Sequence, residues 1–104
     1  MRLELQTVSR DNLFEAKAVY IDGVVTVKKG SRINTHAGSG FKPSSVVREK
    51  LNDPTIVGED GILTEDVTFS SLSTAASFVA GRTSNGMITW KTMDGKYVRE
   101  SLKN

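Results

Sequence analysis

Three cations, a hydroxyl and a glycine fall together at Lys28-Lys29-Gly30-Ser31-Arg32. That combination suits an anion. Ammonium and guanidinium groups supply charge, and a glycine at a strand end lets backbone N–H groups approach a phosphate. The plainer reading is a strand terminator with solvated lysines. A second group surrounds one amphipathic segment. Ser70, Ser71 and Ser73 crowd its start, where the free N–H groups of a helix N-terminus favour an anion, although capping accounts for one serine. Arg82 follows its end, where it either complements the helix dipole or meets a phosphate. Asn85 reads as a left-handed turn residue before Gly86, with pairing of its amide to an adenine edge as the functional alternative.

Catalytic chemistry lacks its parts. His36 is the single histidine, and no Gly-x-Ser-x-Gly elbow marks a serine for it to activate, so it reads as a solvated loop residue. The chain has no cysteine, which removes disulfides, thiolate nucleophiles and the usual zinc ligand sets. Glu59, Asp60, Glu65 and Asp66 are oxygen ligands by type but do not follow calcium-loop spacing, and Asp60-Gly61 reads as a turn. Gly38-Ser39-Gly40-Phe41-Lys42-Pro43 lacks the third glycine of a dinucleotide fingerprint and the Gly-Lys-Ser/Thr of a phosphate loop. No catalytic residue, metal site or cofactor is expected.

The elements that hold these residues are signalled by turns. Asp22-Gly23, Asp60-Gly61, Asn85-Gly86 and Asp94-Gly95 all favour tight reversals. Phe14, Ala16, Ala18 and Tyr20 alternate along one strand, and Val24-Val25-Thr26-Val27 returns as its hairpin partner. Leu3-Glu4-Leu5 adds a short strand before them. Residues 30–43 read as a loop. Ser44 or Ser45 then caps a short helix carrying Val47 and Leu51, which Asn52 and Pro54 end. Ile56-Val57 and Ile62-Leu63 form a second expected hairpin, with Val67 and Phe69 extending it. Leu72, Ala75, Ala76 and Val79 follow the i, i+3, i+4, i+7 rule of a helix that Gly81 ends. Ile88 and Trp90 alternate with Met87, Thr89 and Lys91 as a further strand, with Trp90 in the core. Tyr97 to Leu102 fits a strand or a helical turn equally. The expected fold is α+β, a mainly antiparallel sheet built from hairpins with two short helices.

With 104 residues the chain is read as one domain over 1–104, and its 38% hydrophobic and 25% charged residues are ordinary for a folded protein. No run approaches the roughly 20 apolar residues of a membrane span, and the N-terminus lacks the apolar core of a signal peptide. A cytoplasmic protein with no membrane partner is expected. The net charge of +2 hides a contrast: residues 28–50 carry +5 and residues 51–70 carry −5. If such blocks fold into patches, one side suits a polyanion.

Several segments in order resemble the domain of unknown function DUF4357. Val27-Lys28-Lys29-Gly30-Ser31 is similar to its strand with a Gly-Ser ending, and Val47-Arg48-Glu49-Lys50-Leu51 to its short helix. Leu63 to Ser71 resembles its strand leading to a serine turn. Ser73 to Arg82 resembles its small-residue helix, and Ser84-Asn85-Gly86 through Trp90 its Asn-Gly…Trp strand. The similarity spans about 14–102. Leu72 stands where the family commonly has proline, and Met87 where it has an aromatic that would stack on a ligand better. The helix and the Asn-Gly…Trp segment also resemble the RAMA domain associated with restriction enzymes and adenine methylases.

The resemblance implies a non-catalytic accessory module that binds or targets DNA beside a nuclease or methylase-type partner. Lys28, Lys29, Ser31, Arg32, Ser71, Ser73 and Arg82 are the expected nucleic-acid contacts, with Asn85 near a base. The competing expectation is a protein-interaction or homodimerisation module that docks through a sheet edge without binding nucleic acid.

Overall fold

The computed structural model describes residues 2–36 and 40–102. The Gly38-Ser39 part of the glycine-rich loop lies outside them. Strand β1 (Arg2–Val8) is longer than its Leu3-Glu4-Leu5 signal and pairs along its whole length with β2 (Glu15–Ile21), Leu5 opposite Ala18. Asp22 at φ 48° and Gly23 at φ 89° turn the chain into β3 (Val24–Val27). Two successive positive φ values match the twist of the flanking strands, which is why Asp-Gly is favoured there. β4 (Val67–Phe69) and β5 (Lys91–Thr92) complete an antiparallel sheet in the order β4-β3-β2-β1-β5. The fold is α+β, with four short helices where the turn and periodicity signals suggest two.

One face of the sheet builds the core. Leu5, Ala16, Ala18, Val25, Val27, Val67 and Phe69 are all buried, each two residues from the next on its strand. The helix packed on this face is α2 (Leu72–Ala80), which buries Leu72, Ala75, Ala76, Phe78, Val79 and Ala80. Its Phe78 ring lies 5.0 Å from that of Phe69. Ser71 caps its start by accepting the Thr74 N–H, and Gly81 ends it at φ 71°. α1 (Ser45–Leu51) is capped by Ser44 and anchored by Val47. The opposite face of the sheet leaves Glu4, Lys17 and Thr68 exposed.

Two expectations change. The second hairpin shrinks to a single bridge between Val57 and Leu63, because the Gly58–Gly61 turn is followed within two residues by chain that crosses to Arg32. The alternation at Met87–Lys91 is not a strand. It is α3 (Gly86–Thr89), then β5, with Trp90 between them. Asn85 accepts the Met87 N–H and starts this turn of helix, so Ile88 is 45% exposed while Trp90 is fully buried. Of the two alternatives open for the last segment, the helical one holds: it is α4 (Val98–Leu102), with Val98 in the core. No helix among the described residues is long and apolar enough to cross a membrane.

Candidate nucleic-acid interface

The Lys28–Arg32 turn is held by an acid and by the neighbouring strand. The Asp66 carboxylate accepts the Lys29 backbone N–H at 2.8 Å and the Lys28 ammonium at 3.0 Å. These two bonds, the backbone one foremost, hold the Asp66 carboxyl below the usual carboxylate range. Ser31 is buried; its hydroxyl accepts the Lys17 N–H and donates to the Lys17 carbonyl. It closes the irregular edge of β2 and offers nothing to solvent. Arg32 spreads both guanidinium arms over Asn12, donating to its backbone carbonyl and its Oδ1, each at 2.9 Å. Asn12 sits at φ 61°, a left-handed conformation that asparagine tolerates better than most residues.

Around α2, three of the expected contact residues also have local partners. Ser71 is the N-cap, Ser73 accepts the Gly86 N–H at 3.0 Å, and Asn85 accepts the Met87 N–H at 2.9 Å. Asn85 stands at φ −87°, so it is a helix cap and not the left-handed turn residue expected from Asn-Gly. Arg82 differs. It is exposed, and its guanidinium makes no hydrogen bond to a described residue.

Arg82 lines a cleft of about 670 Å³ at the far end of β1. The walls are the 9–14 loop on one side, Ile88 and Lys91 on another, and Tyr97 beyond them. Arg10, Arg82 and Lys91 bring three cations to it against the single acid Asp11. Asp11 is held below the usual carboxylate range, first by the Ser9 hydroxyl and also by the Leu13 N–H, with the Arg82 charge contributing. Lys91 Nζ lies 5.3 Å from the centre of the Tyr97 ring, a cation–π distance. A second, more open groove of about 600 Å³ runs over Lys17 and the 28–32 turn to Ile62. The two hollows share no lining residue.

The structure therefore separates the expected contact residues. Lys28, Lys29, Ser31 and Arg32 belong to one groove, Arg82 to the other cleft, and Ser71, Ser73 and Asn85 to the helix caps between elements. Arg10, Lys91 and Tyr97 escaped the sequence reading. Each is isolated in the chain, and only Lys91 carried a signal, its place directly after the core Trp90. Among the described residues no group of three or more His, Cys, Asp or Glu is placed to hold a metal ion.

Arg32 has a testable role as a strut for the loop that walls the cleft. Arg32→Ala is expected to lose about 1 kcal/mol of stability and to speed amide hydrogen exchange at Leu13 and Phe14, which bond to Ser9 in that loop. Arg32→Lys keeps the charge but not the two-armed geometry and should behave the same way. Unchanged exchange in both variants would show that the loop stands without the strut.

The model of the family described as "Domain of unknown function (DUF4357)" matches residues 7–102. No curated protein and no solved structure matches the chain.

Proposed function

The chain belongs to the DUF4357 family, and from that premise we propose that it is a non-catalytic, cytoplasmic accessory module that binds DNA in a restriction, modification or nuclease context. The observation that carries this reading is the cleft, whose lining includes Arg10, Arg82, Lys91 and the exposed Tyr97, with Asp11 as its one acid. Phosphate contacts of this kind position a nucleic acid without reading its sequence. Lys28 and Lys29 offer further cations in the second groove. A catalytic partner would supply the chemistry for which this chain lacks residues.

The test is an anisotropy titration against duplex and single-stranded DNA at two salt concentrations. Binding should weaken steeply as salt rises, because phosphate neutralisation releases counterions. The Arg10→Glu/Arg82→Glu variant should bind at least tenfold more weakly and show a shallower salt dependence. Lys28→Glu/Lys29→Glu should have a smaller effect. No binding at low salt, or equal binding by the Arg10/Arg82 variant, overturns the reading. The specific observation for a protein-docking module is the exposure of Ile21, Val24 and Met93 outside this cleft, and salt-insensitive association with a partner or with itself would point to it.

A further inference from the structure

We propose that the cleft takes a single-stranded segment of DNA, with a base stacked on Tyr97 and the flanking phosphates on Arg82 and Arg10. The proposal rests on the reading of this cleft as the DNA-binding surface and adds the form of DNA that it accepts.

The apolar content of the cleft makes the distinction. Nine large apolar side chains are exposed among the described residues, and four of them, Val8, Leu13, Ile88 and Tyr97, line this one hollow. A duplex keeps its bases stacked inside and presents phosphates and sugars to a docking surface. Such a ligand would satisfy Arg10, Arg82 and Lys91 but leave the apolar groups in water. A single strand turns its bases outward, and every base has a flat face that stacks on an aromatic ring whatever the sequence. Cations interleaved with an exposed aromatic are what such a strand requires.

The dimensions agree. The Lys91 ammonium lies over the Tyr97 ring, 5.3 Å from its centre, so a base stacking on that face takes its place and frees the cation to meet a neighbouring phosphate. At about 670 Å³ the cleft is within the range of small-ligand pockets, roughly 300–1,000 Å³, and so suits a nucleotide or two and not the girth of a double helix. The second groove provides the contrast. It gathers Lys17, Lys28, Lys29 and Arg32 but no aromatic side chain, so it can meet phosphates and has no ring on which to stack a base.

The decisive experiment titrates a short oligodeoxythymidine and a duplex of equal length against wild type, Tyr97→Ala, Tyr97→Phe and Tyr97→Trp. Tyr97 is 41% exposed, and circular dichroism checks that each variant is folded. The single strand should bind wild type more tightly than the duplex. Tyr97→Ala should weaken single-strand binding roughly tenfold while leaving duplex binding nearly unchanged, and Tyr97→Phe and Tyr97→Trp should retain it. If both DNA forms bind wild type in a salt-dependent way but Tyr97→Ala binds the single strand as wild type does, the stacking proposal fails and the DNA-binding function stands. Duplex binding tighter than single-strand binding overturns the proposal in the same way. If neither form binds at low salt, both readings fall together.

Discussion

Truncating Trp90 to alanine is expected to cost about 3–5 kcal/mol, a large part of the ~5–15 kcal/mol that holds a domain folded. The indole is fully buried, and its Nε1 donates to the Leu72 carbonyl at 3.1 Å. Leu72 is the first residue of α2, and Trp90 joins α3 to β5. One side chain therefore fills the core and ties the start of the main helix to the chain entering the edge strand. Alanine removes both the apolar volume and the donor. Urea unfolding followed by circular dichroism should show a much lower midpoint, or a chain unfolded in buffer. Trp90→Phe separates the two contributions. It keeps most of the ring volume but not the N–H, so it should lose less, about 1 kcal/mol for the hydrogen bond and a further part for the unfilled space. A midpoint for Trp90→Ala equal to that of wild type would mean that the indole is not the tie between these elements.

Gly86→Ala should be nearly as damaging for the opposite reason. A Cβ built on Gly86 would lie 2.3 Å from the Leu72 carbonyl carbon, 2.5 Å from its oxygen and 2.5 Å from the Ser73 nitrogen. All three are backbone atoms of the α2 start, so no side chain can rotate aside to make room. The Gly86 N–H is at the same time bonded to the Ser73 hydroxyl, which draws the two segments together. Adding a methyl group must push α3 away from α2. Overpacking typically costs about 1–3 kcal/mol, occasionally more, and a backbone clash belongs at the upper end. For a domain of this size, about 3 kcal/mol corresponds to a fall in melting temperature of more than about 10 °C. Gly95→Ala provides the control. Gly95 has φ 86° but nothing within 4 Å of its Cβ position, so it should lose only about 1–2 kcal/mol for the left-handed backbone. If Gly86→Ala melts no lower than Gly95→Ala, the close approach of α3 to α2 is not rigid. A folded Gly86→Ala protein should also bind DNA more weakly, because α3 places Ile88 and Thr89 on the cleft wall.

These two positions show what local pattern can and cannot convey. Asn85-Gly86 invites a turn reading because such pairs favour positive φ. Here the glycine is needed for space and not for conformation, a requirement set by Leu72 from an earlier segment. The period of two from Met87 to Lys91 misled for a related reason. Over so few residues an alternation cannot be told from one helical turn followed by a strand. Asn85 decided the matter by capping Met87.

The β2–β3 hairpin is legible in residue order, because the Asp22-Gly23 turn and the alternation around it act within neighbouring residues. So is α2, whose serine cap, apolar stripe and terminal Gly81 need no distant partner to be recognised. Residue types alone show a single histidine and no cysteine. Which cations share a hollow was left to the folding of distant segments. Lys28 and Lys29 form the most conspicuous basic run, yet Asp66 lies against it, and Arg32 is spent on holding Asn12. Arg10, Arg82, Lys91 and Tyr97 line one cleft because β5 returns late in the chain to pair with β1, Gln6 opposite Lys91, at the sheet edge beside the 9–14 loop. Strand pairing between distant segments depends on the burial of the whole sheet face, and no residue near Tyr97 records which strand that will be.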